Sequence, residues 1–304
     1  MRKVLLVVSA LLLFYFWTRK ESPPSLLEIP KPPLPQAART PPQLPDQKEL
    51  PRPPPPRLEP AIEIAPAPTV KPVNVQDKPL KKTLALPYVI DEGVAVVLGD
   101  VALGRLPPEA PPTGMVSVPP LKLWANGTIP FHIQPTVTNS ARVRTALSFF
   151  SGTAVHFVPY SNEEDVLVFE EATSNCKSYV GRIGGKQPIW IAPTCGSAEI
   201  AHEILHALGF VHEQNRSDRD AAINVLTDFI DEKYMVNFIK LPDEYMKVSG
   251  LGNFDFTSLM LYPAWMFAKG GHATMESKFN DHQIQPGTQP SQVDLERLNA
   301  AYGR

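Results

Sequence analysis

Residues 202–220 read HEILHALGFVHEQNRSDRD, and this stretch decides how the rest of the chain is read. Ile200 to Phe210 has helix-compatible composition, so His202 and His206, four residues apart, project from one face about a turn apart. Two imidazoles at that spacing can share a tetrahedral Zn²⁺. Gly209 follows three residues later, where a helix end or a sharp reversal suits a residue without a side chain. The reversal would bring His212 to the same ion as a third nitrogen ligand and leave one position for a water, as a catalytic rather than a structural zinc requires. Glu203, next to the first ligand and outside the set, is placed to take a proton from that water, whose pKa zinc lowers from about 15.7 to about 7.

HExxH alone also occurs on ordinary amphipathic helices. Here the longer HExxHxxGxxH is complete, and Ser258-Leu259-Met260-Leu261-Tyr262 follows as a Met-turn, with Met260 expected as a soft apolar floor beneath the histidines. Phe210, His212-Glu213, Arg216 and Asp218-Arg219-Asp220 extend the match to HExxHxxGFxHExxRxDRD, which resembles the signature of the astacin family of metzincin endopeptidases. Trp124-Ala125-Asn126-Gly127-Thr128-Ile129-Pro130-Phe131 resembles the opening of an astacin catalytic domain, and Gly181 to Gln187 is also similar to the family. The resemblance covers about residues 120 to 302.

It implies an α+β metzincin fold: a mixed twisted sheet plus the active-site helix in an upper subdomain, and an irregular lower subdomain with a C-terminal helix. It also implies a monomeric zinc-dependent endopeptidase with one Zn²⁺ per chain and a protein or peptide substrate. Glu203 would be general base and acid, and Tyr262 the oxyanion stabiliser. Glu213 resembles the glutamate that receives the new amino terminus after processing; a surface carboxylate is the other reading. Upstream, Val94 to Leu103 resembles the end of an astacin propeptide, with Val97 where the family has Phe. Asp100 would then be a latency ligand on the zinc, the alternative being a Gly-Asp turn after a strand. An activating protease would cut between about Gly104 and Leu121, where Pro107-Pro108 and Pro111-Pro112 keep the connector extended.

The chain opens on Met1-Arg2-Lys3 and a run from Val4 to Trp17 that is apolar apart from Ser9. As a helix it would span about 21 Å against a hydrocarbon core of about 30 Å. A cleaved signal peptide and an uncleaved signal anchor both remain open for residues 1–20, and either means export, as a secreted, periplasmic or cell-envelope protein. Residues 22 to 87 hold 20 of the 35 prolines, so 21–87 is expected to be a disordered, polyproline-II-rich tether. The domain order is therefore tether, a propeptide-like segment at 88–112, and a catalytic domain at 113–304.

Within that domain Thr138-Asn139-Ser140 signals the cap of a helix from Ala141 to Phe150. Val155 to Val158, Val166 to Phe169 and Ile189-Trp190-Ile191 have strand character. By resemblance the last is an edge strand that pairs an extended substrate. Ser291 to Ala301 reads as a terminal helix capped by Ser291. Cys176 and Cys195 are the only cysteines; eighteen intervening residues do not suit close zinc-ligand pairs, and export favours a disulfide. Where the family has a second bridge this chain has Ala154 and Gly303. His132, His156, His272 and His282 lack metal spacing. A net charge of −2 gives no case for nucleic acid, and Gly181 to Gly185 lacks a phosphate-loop context. The alternative from another class is a zinc-binding, weakly active envelope or adhesion module presented on the tether; a zinc amidase acting on cell-wall peptides is a third reading.

Overall fold

The structure is a computed structural model that describes residues 60–64, 68–73 and 84–303. The expected signal or anchor segment, and the tether up to residue 59, lie outside the described residues. Among the described residues no helix is long and apolar enough to cross a membrane.

Five short strands precede the catalytic part: β1 (Pro72–Val73), β2 (Ala85–Asp91), β3 (Val94–Val97), β4 (Val101–Arg105) and β5 (Thr113–Ser117). They are followed by β6 (Thr128–Ile133), helix α1 (Ala141–Ser148), β7 (His156–Pro159), β8 (Val166–Glu171), β9 (Lys177–Ser178) and β10 (Lys186–Ile191). The chain ends with α2 (Ser197–Ala207), the two-stranded ladder of β11 (Ile223–Val225) and β12 (Met275–Ser277), and α3 (Gln292–Tyr302).

One mixed sheet runs through most of this, in the order β1-β5-β2-β3-β4-β9-β10-β8-β6-β7. Its centre is parallel: β10 with β8, β8 with β6, and β6 with β7. β6, β8 and β10 are near-continuous buried runs because both faces are covered, as parallel sheets require, whereas β7 at the edge is partly exposed. On one face Ile129, Phe131, Leu167, Phe169, Ile189 and Ile191 meet the apolar sides of α1 and α2. On the other, Trp190 meets Val94, Val96 and Ala102 of the preceding segment. Beyond α2 the chain is mostly short turns around a second apolar cluster, and it ends in α3, which packs Leu298 and Tyr302 into the first core and whose cap is a reciprocal Ser291–Asp294 box. The α+β expectation is met.

Several expectations need correction. β2 begins at Ala85, β1 pairs with β5, and Ile62 exchanges hydrogen bonds with Gln134 at 3.3 and 2.7 Å, so regular pairing falls well inside the stretch expected to be tether. The upstream strands also run past residue 112, where that segment was expected to end, because β5 pairs with β2. A two-residue turn drives this: Glu92 and Gly93 both have positive φ, 52° and 78°, the backbone that joins twisted antiparallel strands tightly. These short strands share their core with the catalytic part, Leu86, Tyr88, Val97 and Leu103 packing with Val211, Leu241, Tyr245 and Met246. The expected edge strand, β10, is internal; the strand facing the upstream segment is β9, which pairs with β4 through Val101 and Ser178. Helix α1 starts as expected, but Ser140 is itself helical and makes no side-chain cap bond. Cys176 and Cys195 are bonded. Ala154 and Gly303 lie side by side, and Ala154 N–H instead donates to Asn299 Oδ1 at 2.7 Å.

Candidate metal centre

Helix α2 buries Ile200, Ala201, Ile204 and Leu205 in the core and turns His202 and His206 the other way. It stops where Gly209 takes φ 100°, and a Cβ there would come 2.6 Å from Leu123 Cδ2, so only glycine fits the return that brings His212 back. His202 Nδ1 lies 2.9 Å from the carbonyl of Leu259, and His206 Nδ1 lies 2.9 Å from that of Phe210. A carbonyl can only accept, so both rings carry their proton on Nδ1 and present a bare Nε2. His202 Nε2 and His212 Nε2 are 3.2 Å apart.

Asp100 completes the set from the turn between β3 and β4. Its Oδ1 is 3.3 Å from His206 Nε2 and 3.2 Å from His212 Nε2, and its Oδ2 is 3.4 Å from His202 Nε2. Tetrahedral zinc with bonds of about 2.0–2.1 Å spaces its ligand atoms by about 3.3 Å. His206 Nε2 and Asp100 Oδ1 are buried without a hydrogen-bond partner, and burial holds the His206 imidazole down to about 4, in its neutral form. Acceptor atoms facing one another at this spacing fit a shared cation, and the His₃–Asp donor set fits zinc.

Asp100 is held there by backbone. Ser178 N–H donates to its carbonyl at 3.2 Å, and the Tyr262 hydroxyl donates to the Leu98 carbonyl at 2.7 Å. Burial and the Asp100 charge push the Tyr262 hydroxyl well above its ordinary range. Glu203 is buried, its Oε2 is unpartnered, and burial followed by the Asp100 charge raises its carboxyl well above the usual value. Met260 is fully buried, as expected of a floor.

Two supports were not legible in the sequence. Asp294, in the cap of α3, accepts from Ser258 Oγ at 2.7 Å and Leu259 N–H at 2.9 Å, fixing the turn whose carbonyl orients His202. Glu213 is fully buried, and Arg297 grips both its oxygens at 2.8 and 2.9 Å; a charged pair this far apart in sequence leaves no local signal. The other four histidines stay outside the cluster.

Three imidazoles from one helix and its return, a glutamate beside the first, and a buried Met-turn define a metzincin-type zinc peptidase centre. The family model described as Astacin, a peptidase family, matches residues 117–303, and the chain belongs to the astacin family. It is 34% identical over 190 residues to "Zinc metalloproteinase nas-14" of Caenorhabditis elegans, covering 60% of this chain and 38% of that protein. It is 36% identical over 172 residues to human "Tolloid-like protein 2", covering 54% of this chain and 17% of that protein. The chain thus spans well under half the length of these curated relatives. High choriolytic enzyme 1, a hatching enzyme zinc-protease from medaka (Oryzias latipes), superposes with a TM-score of 0.54 at 30% identity, over 60% of this chain and 94% of that one.

Proposed function

We propose that this chain is the latent form of an exported zinc-dependent endopeptidase, silenced by its own prosegment. The observation that carries the reading is Asp100, whose carboxylate lies 3.2–3.4 Å from all three Nε2 atoms on a segment paired to β9. His202, His206 and His212 would hold the ion. Zinc, when bound, lowers the pKa of a water and polarises a peptide carbonyl.

The rest falls to the chain itself. Glu203 takes the proton of the attacking water on its carboxylate and delivers it to the leaving amide nitrogen. The Tyr262 hydroxyl, released from Leu98, donates to the oxyanion that develops on the scissile carbonyl. The β9 backbone, released from β4, pairs an extended substrate by strand addition.

A cut in the connector between Ser117 and Leu121, after β5, would separate the prosegment. Asp100 then leaves the histidines, and the new amino terminus approaches Glu213, whose carboxylate Arg297 holds meanwhile. The Cys176–Cys195 bridge and the zinc metalloproteinase relatives support an oxidising, extracellular setting, with residues 4–17 directing export or anchoring.

The test is digestion of an unfolded protein by the zinc-loaded full chain, before and after limited proteolysis of the connector, with and without a chelator. Internal cuts are expected only after the nick and are lost with the chelator. A nicked, zinc-loaded chain that makes no chelator-sensitive cut refutes the reading.

A further inference from the structure

Ala268 N–H donates to the Trp265 carbonyl at 3.1 Å, and the turn they close puts Phe267 at its third position with φ 60°. Glycine or asparagine normally fills such a position, because a β-carbon is strained there. A bulky aromatic keeps that backbone only where its surroundings fix it, and strain of this kind gathers at functional sites. Here the surroundings do fix it. Asp231 N–H donates to the Phe267 carbonyl at 3.0 Å, and Lys269 N–H donates to the Phe229 carbonyl at 2.8 Å, so the backbone is clamped on both sides of the turn.

The ring makes the contacts that the strained backbone permits. It stacks on Tyr234 with centres 4.3 Å apart, and it stands edge-on to Tyr262 at 5.5 Å and to Phe238 at 6.3 Å. Tyr262 in turn meets Phe238 edge-on at 6.0 Å and the His212 ring at 4.6 Å. Three rings therefore box the phenol. His212 and Phe238 are buried, whereas Phe267 is half-buried and lines the groove shared by Asp100, His202, Glu203 and Tyr262. The bond from the Tyr262 hydroxyl to the Leu98 carbonyl belongs to the latent chain. Once the prosegment leaves, these ring contacts set where the oxygen points.

We propose that Phe267 is the positioning residue of Tyr262: its ring, braced by Tyr234, holds the phenol at the metal centre when the Leu98 carbonyl is gone. Phe267 acts through the hydroxyl and not on the reacting atoms. A donor already in place needs no reorganisation as charge develops on the scissile carbonyl, and a phenol free to swing is in place only for a fraction of the molecules. The inference rests on the endopeptidase reading and adds a residue to that site.

The test uses the nicked, zinc-loaded full chain carrying Phe267→Leu or Phe267→Met, which fill the space and lose the ring. Each is expected to lower kcat about tenfold, part of what an oxyanion donor supplies, with KM and zinc content little changed. Phe267→Tyr is expected to stay near wild type, and Phe267→Gly, which relieves the backbone but removes the ring, to fall as far as Phe267→Leu. On the Tyr262→Phe background, Phe267→Leu is expected to change kcat by less than about twofold, a coupling that general loosening of the groove does not produce. In chain labelled with fluorotyrosine, the Tyr262 fluorine resonance, identified by its loss in Tyr262→Phe, is expected to be one narrow line after nicking and to shift or broaden in Phe267→Leu. Full kcat in Phe267→Leu or Phe267→Gly, or an equal fall on both backgrounds, overturns the proposal. If the nicked wild-type chain cuts nothing, the endopeptidase reading fails, and the fluorine line still decides: an unchanged line in Phe267→Leu and Phe267→Met overturns the positioning role, and a shifted one upholds it.

Discussion

The Tyr262 hydroxyl donates a 2.7 Å hydrogen bond to the carbonyl of Leu98, two residues before the carboxylate that sits among the histidines. One phenol therefore serves two states, and Tyr262→Phe separates them. In the intact chain the loss removes one buried hydrogen bond and should loosen the prosegment by about 1 kcal/mol. In the nicked chain it removes an oxyanion donor and should lower kcat by about 10²–10³ with KM little changed. Steady-state kinetics before and after nicking check both. Unchanged kcat would leave Tyr262 as a prosegment anchor only.

Gly99, between Leu98 and Asp100, has φ 99°, and a Cβ built on it would stand 2.5 Å from the Tyr262 oxygen. Gly99→Ala should therefore lift the turn off the metal centre. Uncut chain carrying Gly99→Ala or Asp100→Ala is expected to show chelator-sensitive activity while binding one zinc, measured by peptide hydrolysis and metal content together. A silent Asp100→Ala chain would mean that latency comes from the covered β9 edge alone.

Glu203 is buried and stands outside the His–Asp ligand group, so Glu203→Gln should keep zinc and lose activity. A drop of about 10²–10⁴ in kcat is expected of the nicked chain, because the amide cannot accept the proton. His206→Ala should lose zinc as well. Full turnover in Glu203→Gln would remove it from the proton path.

Most of the centre was legible because its chemistry is local. His202, Glu203, His206, Gly209 and His212 sit within one helix and its return; helical spacing predicts where the first three point, and Gly209 marks the reversal that brings His212 back. The prosegment was legible at Asp100 but not in its strand pairing. Its strands are short and proline-flanked, and Leu86, Tyr88 and Val97 bury themselves against residues more than 100 positions away, which no periodicity records. The Glu92-Gly93 pair is the one local signal of a hairpin there, and it is weak without the strands around it. Ile189 to Ile191 reads as the edge in sequence because a two-residue strand, Lys177–Ser178, is too short to be seen there yet takes the outer position in the catalytic sheet.

Hydrogen bonds from Thr173, then from Lys177, hold the Glu92 carboxyl down to about 2 while the prosegment is docked, against an ordinary 4.5. A depressed value in the docked state means that this contribution is fully present above 4.5 and is lost as pH falls from there toward 2. Glu92 is a third exposed, so solvent screens part of the effect. Nicked prosegment should consequently dissociate more readily at about pH 3 than at about pH 5, read by gel filtration, and Glu92→Gln should flatten that part of the dependence. A steepness identical in Glu92→Gln would move the acid response to the other carboxylates.

Arg297 reaches from α3 to the residue beside His212. Its guanidinium grips Glu213 with both outer nitrogens, at 2.8 and 2.9 Å, and donates to the carbonyls of Leu251 and Asn253 at 2.7 and 2.6 Å. Burial pushes the Glu213 carboxyl above its usual value despite Arg297 and Arg216, so the pair is costly to strip and depends on its geometry. Arg297→Met leaves Glu213 buried with only Arg216, at 3.3 Å, and the Asp255 N–H, at 2.8 Å, for partners. It should cost about 3–5 kcal/mol in urea unfolding of the intact chain, the range for breaking one side of a buried pair. Arg297→Lys should recover only part, because a single ammonium cannot reproduce the fork. A loss below about 1 kcal/mol in Arg297→Met would mean that Arg216 and the 249–255 loop hold Glu213 without help from α3.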